Sequence, residues 1–201
     1  MLEVFIQTFI LYFVVIDPLA AAPIFLIVTQ KLKPSSKIKT AFEVTLIATL
    51  ILMFFAILGN FILSYLNISL SAFTIAGGII LFLISLEMLF DRRSERKEGS
   101  ITNNSDMTGI FPLAIPLLAG PAAITSVIVS VADIGSNLIV QAIGMLSLVL
   151  VMVLTFISFY TVSKSSKIIN KKITSVISRV IGIILAGLSI QFIIDGVQKI
   201  L

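Results

Sequence analysis

Three long stretches of this sequence contain no charged residue. They are Val44–Leu86, Met107–Ala132 and Ile134–Ser163, with 43, 26 and 30 residues. Because a helix needs about 20 apolar residues to cross a bilayer, the longest stretch is sufficient for two crossings joined by a tight turn. Only 12% of the chain is charged, about half the share of an average soluble domain. The sequence therefore predicts a polytopic membrane protein.

The apolar stretches are continuous rather than alternating, which favours an all-α protein over a membrane barrel. We predict six transmembrane helices, at about 4–30, 41–65, 68–90, 109–131, 136–160 and 178–199. The turn between the second and third helices is expected near Leu66-Asn67-Ile68. Together the helices are expected to form a single integral membrane domain over 1–201.

The basic residues are concentrated in the loops after the first, third and fifth predicted helices. These loops contain 12 of the 14 lysines and arginines. Since cytoplasmic loops are rich in Lys and Arg, the sequence predicts that these loops, including the one at about 91–106, are cytoplasmic and both termini outside. The formal net charge of +4 is thus a topology signal, and no nucleic-acid partner is expected. Glu3, without a basic residue beside it, argues against a cleaved signal peptide.

The two halves of the chain resemble each other. Pro18–Pro23 aligns with Pro116–Pro121 at an offset of 98 residues, and Gly78–Leu81 aligns with Gly182–Leu185 at an offset of 104. Each repeat, about 1–91 and about 107–201, contains three predicted helices, so the second repeat enters the membrane from the opposite side. Two inverted three-helix repeats of this kind are typical of secondary transporters.

Paired prolines interrupt the first and fourth predicted helices, and Pro112 precedes the second pair. A proline removes an N–H donor and clashes with the carbonyl four residues back, so each helix is expected to open for about one turn. The second half-helices, starting around Ala20–Ile24 and Gly120–Ile124, would offer N–H groups to a carboxylate. The carbonyls before the prolines would suit a cation or an ammonium group. The alternative is a pair of kinks that serve packing only.

Asp17 is the strongest single candidate, because a carboxylate at mid-membrane depth is costly. It could bind a substrate amine, hold a cation, carry a coupling proton, or simply cap the broken half-helix. Glu87 and its repeat counterpart Gln191 could form an inward-facing polar layer near the two mouths and take part in coupling, or Glu87 could reach the headgroups. The candidate substrate-binding residues are Asp17, Pro18, Ala20, Ala21, Pro23, Pro116, Gly120, Pro121, Thr125 and Ser126.

The hydroxyl groups of Thr125 and Ser126 have an equally simple alternative, which is to bond their own helix backbone. The chain contains no His and no Cys, so thiolate nucleophiles, Ser-His-Asp relays and ordinary zinc or haem sites are excluded. No enzyme activity, metal or cofactor is expected, and any proton coupling must rest on carboxylates.

Four motifs occur in order along the chain, at Asp17–Phe25, Gly77–Ile84, Pro112–Pro121 and Gln191–Gly196. Together they resemble the MarC family of bacterial and archaeal inner-membrane proteins. The resemblance implies six spanning helices and kinship with small amino-acid exporters and permeases, some of which are regarded as transporters of glycine and alanine. Its site residues would be Asp17, Pro18, Pro23, Pro116, Gly120 and Pro121.

The chain departs from the family at two places in these motifs. The family usually has Gly-Asn where this chain has Ala20-Ala21, and often has glycine at Ala122. A side-chain amide that could contact a ligand is therefore missing, so the substrate does not transfer directly from the family.

We therefore expect a secondary transporter of small neutral amino acids or similar zwitterions, working by alternating access in the inner membrane. H⁺ and Na⁺ are the candidate coupling ions, and a homo-oligomer is an open alternative to a monomer. The competing functions are an ion channel or permease and a non-transporting membrane protein; a role in antibiotic resistance is doubtful.

Overall fold

The computed structural model describes residues 1–90, 113–133, 137–165 and 171–200. Regular structure in these ranges is helical and includes no strand, which confirms the all-α class. The helices are α1 (Leu2–Ile16), α2 (Pro18–Val28), α3 (Pro34–Tyr65), α4 (Leu70–Leu89), α5 (Pro121–Asp133), α6 (Leu138–Lys164) and α7 (Lys171–Gln198). A π-helical turn at Leu113–Leu118 precedes α5.

Within the described ranges, five helical segments are long and apolar enough to cross a membrane. They are Leu2–Val28, which combines α1 and α2, and Pro34–Tyr65, Leu70–Leu89, Leu138–Lys164 and Thr174–Gln198. Pro121–Ala132 is a shorter apolar helix. It occupies the second half of the fourth predicted crossing, of which residues 109–112 lie outside the described ranges, as does the predicted loop at about 91–106. The chain is a polytopic membrane protein.

Two helices each begin about two turns earlier than the sequence predicts. The expected starts were 41 and 178, whereas α3 begins at Pro34 and α7 at Lys171. The charged residues mark where the chain leaves the bilayer, but lysine is a good helix former and does not end a helix. Pro34 at the first position of α3 fits there because its missing N–H would be unsatisfied in any case.

The turn between α3 and α4 lies where the sequence predicts it. Asn67 has a positive φ of 54°, a conformation that asparagine adopts more readily than most residues. The amide of Ile68 donates to the Leu63 carbonyl, and the Ser69 side chain caps the next helix by accepting from Ala72 N at 3.2 Å. A short turn thereby joins the two long helices.

The first crossing, α1 and α2, contributes heavily to the core. Tyr12, Ile16, Ile24 and Phe25 are fully buried, and the Phe25 ring stacks on Phe159 of α6 with ring centroids 4.4 Å apart. Both α1 and α2 pack against α6, while α3 packs against α5, α6 and the π-helical turn. The interrupted helices are therefore enclosed by continuous ones.

Helices α4 and α7 form the most extensive helix pair among the described elements. Glycine permits their close approach, as is common between helices in membranes. A Cβ atom on Gly78 would lie 2.7 Å from the Ser189 carbonyl oxygen, and one on Gly182 would lie 3.1 Å from the Ser85 carbonyl oxygen. These contacts require the two helices to run antiparallel.

The same pair repeats its contacts at the sequence offset of 104. Gly182 and Ser189 of α7 correspond at this offset to Gly78 and Ser85 of α4. Gly78 packs on Ser189, and Gly182 packs in the same way on Ser85. Each of these serines is buried, and its hydroxyl donates to the backbone carbonyl three residues earlier. The Oγ–O distance is 2.6 Å in α4 and 2.7 Å in α7. The packing of α4 on α7 is thus reciprocal in both contacts and hydrogen bonds.

Candidate functional site

The first helix break is made by one residue, Asp17. Its backbone is left-handed, with φ 53° and ψ 69°, and its amide donates to the Phe13 carbonyl at 2.9 Å, which closes α1. Its Oδ1 accepts from Ala20 N at 3.2 Å, so the same residue caps α2, which begins with Pro18. Asp17 is 1% exposed, and its second oxygen, Oδ2, is also buried. The predicted break is present, and capping is one role of this carboxylate.

The prediction that the helix opens between Pro18 and Pro23 is wrong. Helix α2 continues through Pro23 without a break, and so begins at Pro18 rather than around Ala20–Ile24. The proline removes one helical hydrogen bond, but a neighbouring segment can compensate in a membrane helix. The N–H groups of Ala20 and Ala21 donate to Oδ1 and the carbonyl of Asp17. These two donors are therefore used within the chain.

The second break is longer than the first. Ile115 is extended, with φ −130° and ψ 124°, and a cis peptide bond joins it to Pro116. The amide of Ala119 donates to the Ala114 carbonyl at 2.9 Å across this turn, and α5 begins at Pro121. The fourth predicted helix is thus interrupted over about one turn, as expected, whereas the contribution expected from Pro112 lies outside the described residues.

Gly120 is required by the geometry of the second break. A Cβ atom at this position would lie 2.6 Å from the Pro116 carbonyl oxygen, which is well inside van der Waals contact. The carbonyl of Gly120 accepts from Ile124 N at 3.0 Å. Glycine therefore allows the π-helical turn to fold back directly onto the start of α5.

The structure brings the two breaks into one neighbourhood. Helix α2 packs against the π-helical turn, and α1 packs against α5. The small residues beside both breaks are buried, with Ala20 and Ala21 on the first and Ala119 and Ala122 on the second. Ala20 and Ala21 thus lie inside the protein, where their methyl groups fill space and offer no hydrogen bond.

The hydroxyl groups of α5 bond their own helix. Thr125 donates to the Pro121 carbonyl and Ser126 to the Ala122 carbonyl, both at 2.8 Å, and both side chains are buried. The carbonyl of Pro121, in the first turn of α5, therefore already accepts a side-chain hydrogen bond. A substrate would have to compete with these local bonds.

The expected inward-facing polar layer is not formed by Gln191. This side chain is exposed and donates through Nε2 to Asp195 Oδ1 at 2.7 Å, one turn along the same helix. Glu87 is half-buried near the end of α4. Because α4 and α7 are antiparallel, the two residues lie toward opposite ends of the molecule.

Several hydrogen bonds from side chains to other helices were not anticipated from the sequence. Thr8 Oγ1 donates to Ser147 Oγ at 2.9 Å, and the Tyr12 hydroxyl is hydrogen-bonded to Ser130 Oγ. On the other side of the break, Ser158 Oγ donates to the Pro18 carbonyl at 3.3 Å. The available signal was the spacing of Thr8 and Tyr12, which places two polar groups on one face of an apolar helix.

A hollow of about 350 Å³ lies beside the first break. Its wall includes Pro18, Leu19 and Ala22 of α2, and residues of α1, α6 and α7 complete it. Among the described residues, none from the second break lines this hollow. In the same parts of the chain, no three acidic side chains are grouped so that they could hold a metal ion.

The sequence of the whole chain is similar to known membrane proteins. Residues 2–201 match the family model described as MarC family integral membrane protein. A UPF0056 membrane protein of Methanocaldococcus jannaschii is 33% identical, over 98% of this chain and 97% of the relative. Those of Pyrococcus abyssi and Buchnera aphidicola subsp. Baizongia pistaciae are 32% and 31% identical, with at least 96% of each chain covered.

No solved structure matches the chain. The family resemblance carried by the four motifs is confirmed over nearly the full length, because both the family model and the relatives cover almost every residue. The chain belongs to the MarC family of integral membrane proteins.

Proposed function

We propose that the protein is a secondary transporter of small neutral amino acids or similar small zwitterions, which works by alternating access. The observation that carries this proposal is the pair of buried helix breaks, at Asp17 and at Ile115–Gly120, packed against each other inside the bundle. Interrupted helices at membrane depth are tolerated where they are enclosed by protein, and in transporters they hold substrates and coupling ions.

The proposal includes six crossings arranged as two inverted repeats. Its support is the antiparallel α4–α7 pair. In this pair Gly78 of the first repeat packs on Ser189 of the second, and the equivalent Gly182 of the second repeat packs on Ser85 of the first. The fourth crossing would consist of the π-helical turn, α5 and the residues that precede them. Rocking of one repeat against the other would open the central site to each side in turn.

The two breaks would bind different ends of a zwitterion. At the first, the buried carboxylate of Asp17 would attract the substrate ammonium group or carry a coupling proton. At the second, the start of α5 around Gly120–Ile124 would present its positive dipole end to the substrate carboxylate. Ala20 and Ala21 fill space beside the first break, which favours a small substrate.

The direct test is uptake of radiolabelled glycine, alanine and serine by proteoliposomes. We expect saturable uptake and counterflow, with Asp17→Asn reducing uptake by about tenfold or more, because a hydrogen bond to a charged group contributes about 1.5–3 kcal/mol. Pro121→Ala should also reduce uptake, because it releases the fixed backbone at the start of α5. Ser64→Ala is the matched control, since its exposed hydroxyl bonds only Asn60 of its own helix.

Uptake unaffected by both variants would contradict the site assignment. Single-channel currents without counterflow would instead support an ion channel. Loss of uptake in Ser64→Ala as well would mean that the assay reports protein integrity, which would remove the support from the two site variants.

A further inference from the structure

The hollow beside the first break opens onto the outer surface of the membrane-spanning helices. Leu19 on one rim is 38% exposed and Ile157 on the other is 50% exposed, although both belong to apolar segments that cross the bilayer. In a membrane this surface faces acyl chains. The lining residues are Phe13, Pro18, Leu19, Ala22, Leu154, Ile157, Ser158, Thr161, Val162 and Thr174.

The wall of the hollow is suited to hydrocarbon rather than to an amino acid. Most of its side chains are apolar, and the hydroxyls of α6 already donate to backbone carbonyls. Ser158 donates to Pro18 O at 3.3 Å and Thr161 to Ile157 O at 2.7 Å. A zwitterion bound here would lose its water without gaining these donors, which is costly, whereas an acyl chain needs none.

One end of the hollow lies at the basic face of the molecule. Val162 is two residues before Lys164, where α6 ends, and Thr174 is three residues after Lys171, where α7 begins. The lysine cluster at 31–39 follows α2 at the same face. Lysines at a membrane surface attract anionic lipid headgroups.

We propose that the hollow binds one acyl chain of an anionic phospholipid, whose headgroup lies at the basic face near Lys164. The bound chain contacts Pro18, Leu19 and Ala22 and so supports α2 directly beyond the Asp17 break. This lipid site does not depend on transport. It combines an apolar wall, an opening toward the bilayer and a positively charged end.

The chain contains no tryptophan, so a single introduced Trp reports on the contact of acyl chains at a chosen position. Phe13→Trp places the reporter in the wall of the hollow, and Ile157→Trp is the alternative at the rim. Leu50→Trp on α3, which is 61% exposed at that position, is the matched reporter for ordinary surrounding lipid. Quenching is measured in vesicles with chain-brominated phosphatidylglycerol or phosphatidylcholine.

We expect brominated phosphatidylglycerol to quench the hollow reporter with an apparent affinity about fivefold above that of phosphatidylcholine, the preference expected from one lysine near the headgroup. The Leu50 reporter should show no preference. Ala22→Leu should abolish quenching in the hollow, and Lys164→Gln should remove the headgroup preference, whereas Lys199→Gln, just past the end of α7 and away from the basic face, should leave it unchanged.

Two results would overturn the proposal. One is equal quenching by both lipids at the hollow and at Leu50, which would mean that only ordinary surrounding lipid reaches the reporter. The other is the absence of quenching at both Phe13→Trp and Ile157→Trp. Neither result bears on amino-acid uptake, so failure of this site is distinguishable from failure of the proposed transport function.

Discussion

Asp17 combines a backbone role and a side-chain role at a single buried position. Its left-handed φ of 53° ends α1, and its Oδ1 accepts from Ala20 N to begin α2. Asn and Asp adopt left-handed φ more easily than other residues with side chains, and both are strong helix N-caps. The structural role can therefore be retained when the charge is removed.

A series of substitutions at Asp17 separates these roles. Asp17→Asn is expected to keep the melting temperature close to wild type and to reduce uptake, because the amide oxygen still caps α2 but carries no charge. Asp17→Ala loses the cap and has a less favourable left-handed φ, and should destabilise the protein by about 2–4 kcal/mol. Thermal unfolding in detergent and uptake in proteoliposomes measure the two effects.

Asp17→Gly is the internal control for backbone strain, since glycine adopts positive φ freely and lacks only the cap. Its stability should lie between those of the Asn and Ala variants. If Asp17→Asn transports at the wild-type rate while Asp17→Ala is merely unstable, the carboxylate is a structural cap and has no part in substrate binding or coupling.

At the scale of helices, the α4–α7 pair depends on glycine at specific positions. A Cβ atom on Gly182 would lie 2.9 Å from Met88 Cβ and 3.1 Å from the Ser85 carbonyl oxygen, whereas one on Gly187 would have nothing within 4 Å. Both glycines belong to the same helix, α7. Comparing a substitution at Gly182 with the same substitution at Gly187 therefore separates the effect of helix packing from that of helix propensity.

Gly182→Ala should therefore destabilise the protein by about 1–3 kcal/mol, as overpacking commonly does. Gly187→Ala should be neutral or stabilise it by up to about 1 kcal/mol, because it only restricts the unfolded chain. Midpoints of thermal unfolding of the two purified variants provide the comparison. Equal effects of the two substitutions would contradict the close α4–α7 approach.

Some elements could be predicted from the sequence because their signals are local. Asp17-Pro18 favours a break, since the residue before a proline avoids the helical conformation, and Asn67 favours the turn between α3 and α4. The continuation of α2 through Pro23 could not be predicted in this way. Its local signal resembles that of the first proline, and the outcome depends on the surrounding helices.

The location of the candidate site could be predicted from the sequence, but most of its hydrogen bonds could not. The repeated prolines indicated both breaks, yet the hydrogen bonds from Tyr12 to Ser130 and from Thr8 to Ser147 join residues more than a hundred positions apart. No local pattern encodes such contacts. The hydrogen bonds from Thr125 and Ser126 to their own helix, in contrast, could be predicted as an alternative from the sequence. They need only the preceding turn of the same helix.

For the whole molecule, three contacts place several chain ends on one side. Thr8 near the N-terminus bonds Ser147 near the start of α6, and Gly59 near the end of α3 contacts Ile128 near the end of α5. Gly196 near the end of α7 packs on Ser71 at the start of α4. Lys31 and Lys33 after α2 and Lys164 at the end of α6 lie at the opposite end, as the positive-inside rule predicts for basic residues on one side of a membrane.

The charge distribution then predicts which end is cytoplasmic, and the absence of cysteine from the chain makes the prediction easy to test. Cysteines introduced at Leu66 and Leu138, which are 58% and 79% exposed, should react with a membrane-impermeant maleimide on intact cells. A cysteine introduced at Ser36 in the basic segment should react only after permeabilisation, and the unmodified chain should not react at all. Reaction at Ser36 but not at Leu66 in intact cells would reverse the orientation, and reaction at both would contradict the placement of Ser36 and Leu66 on opposite sides of the membrane.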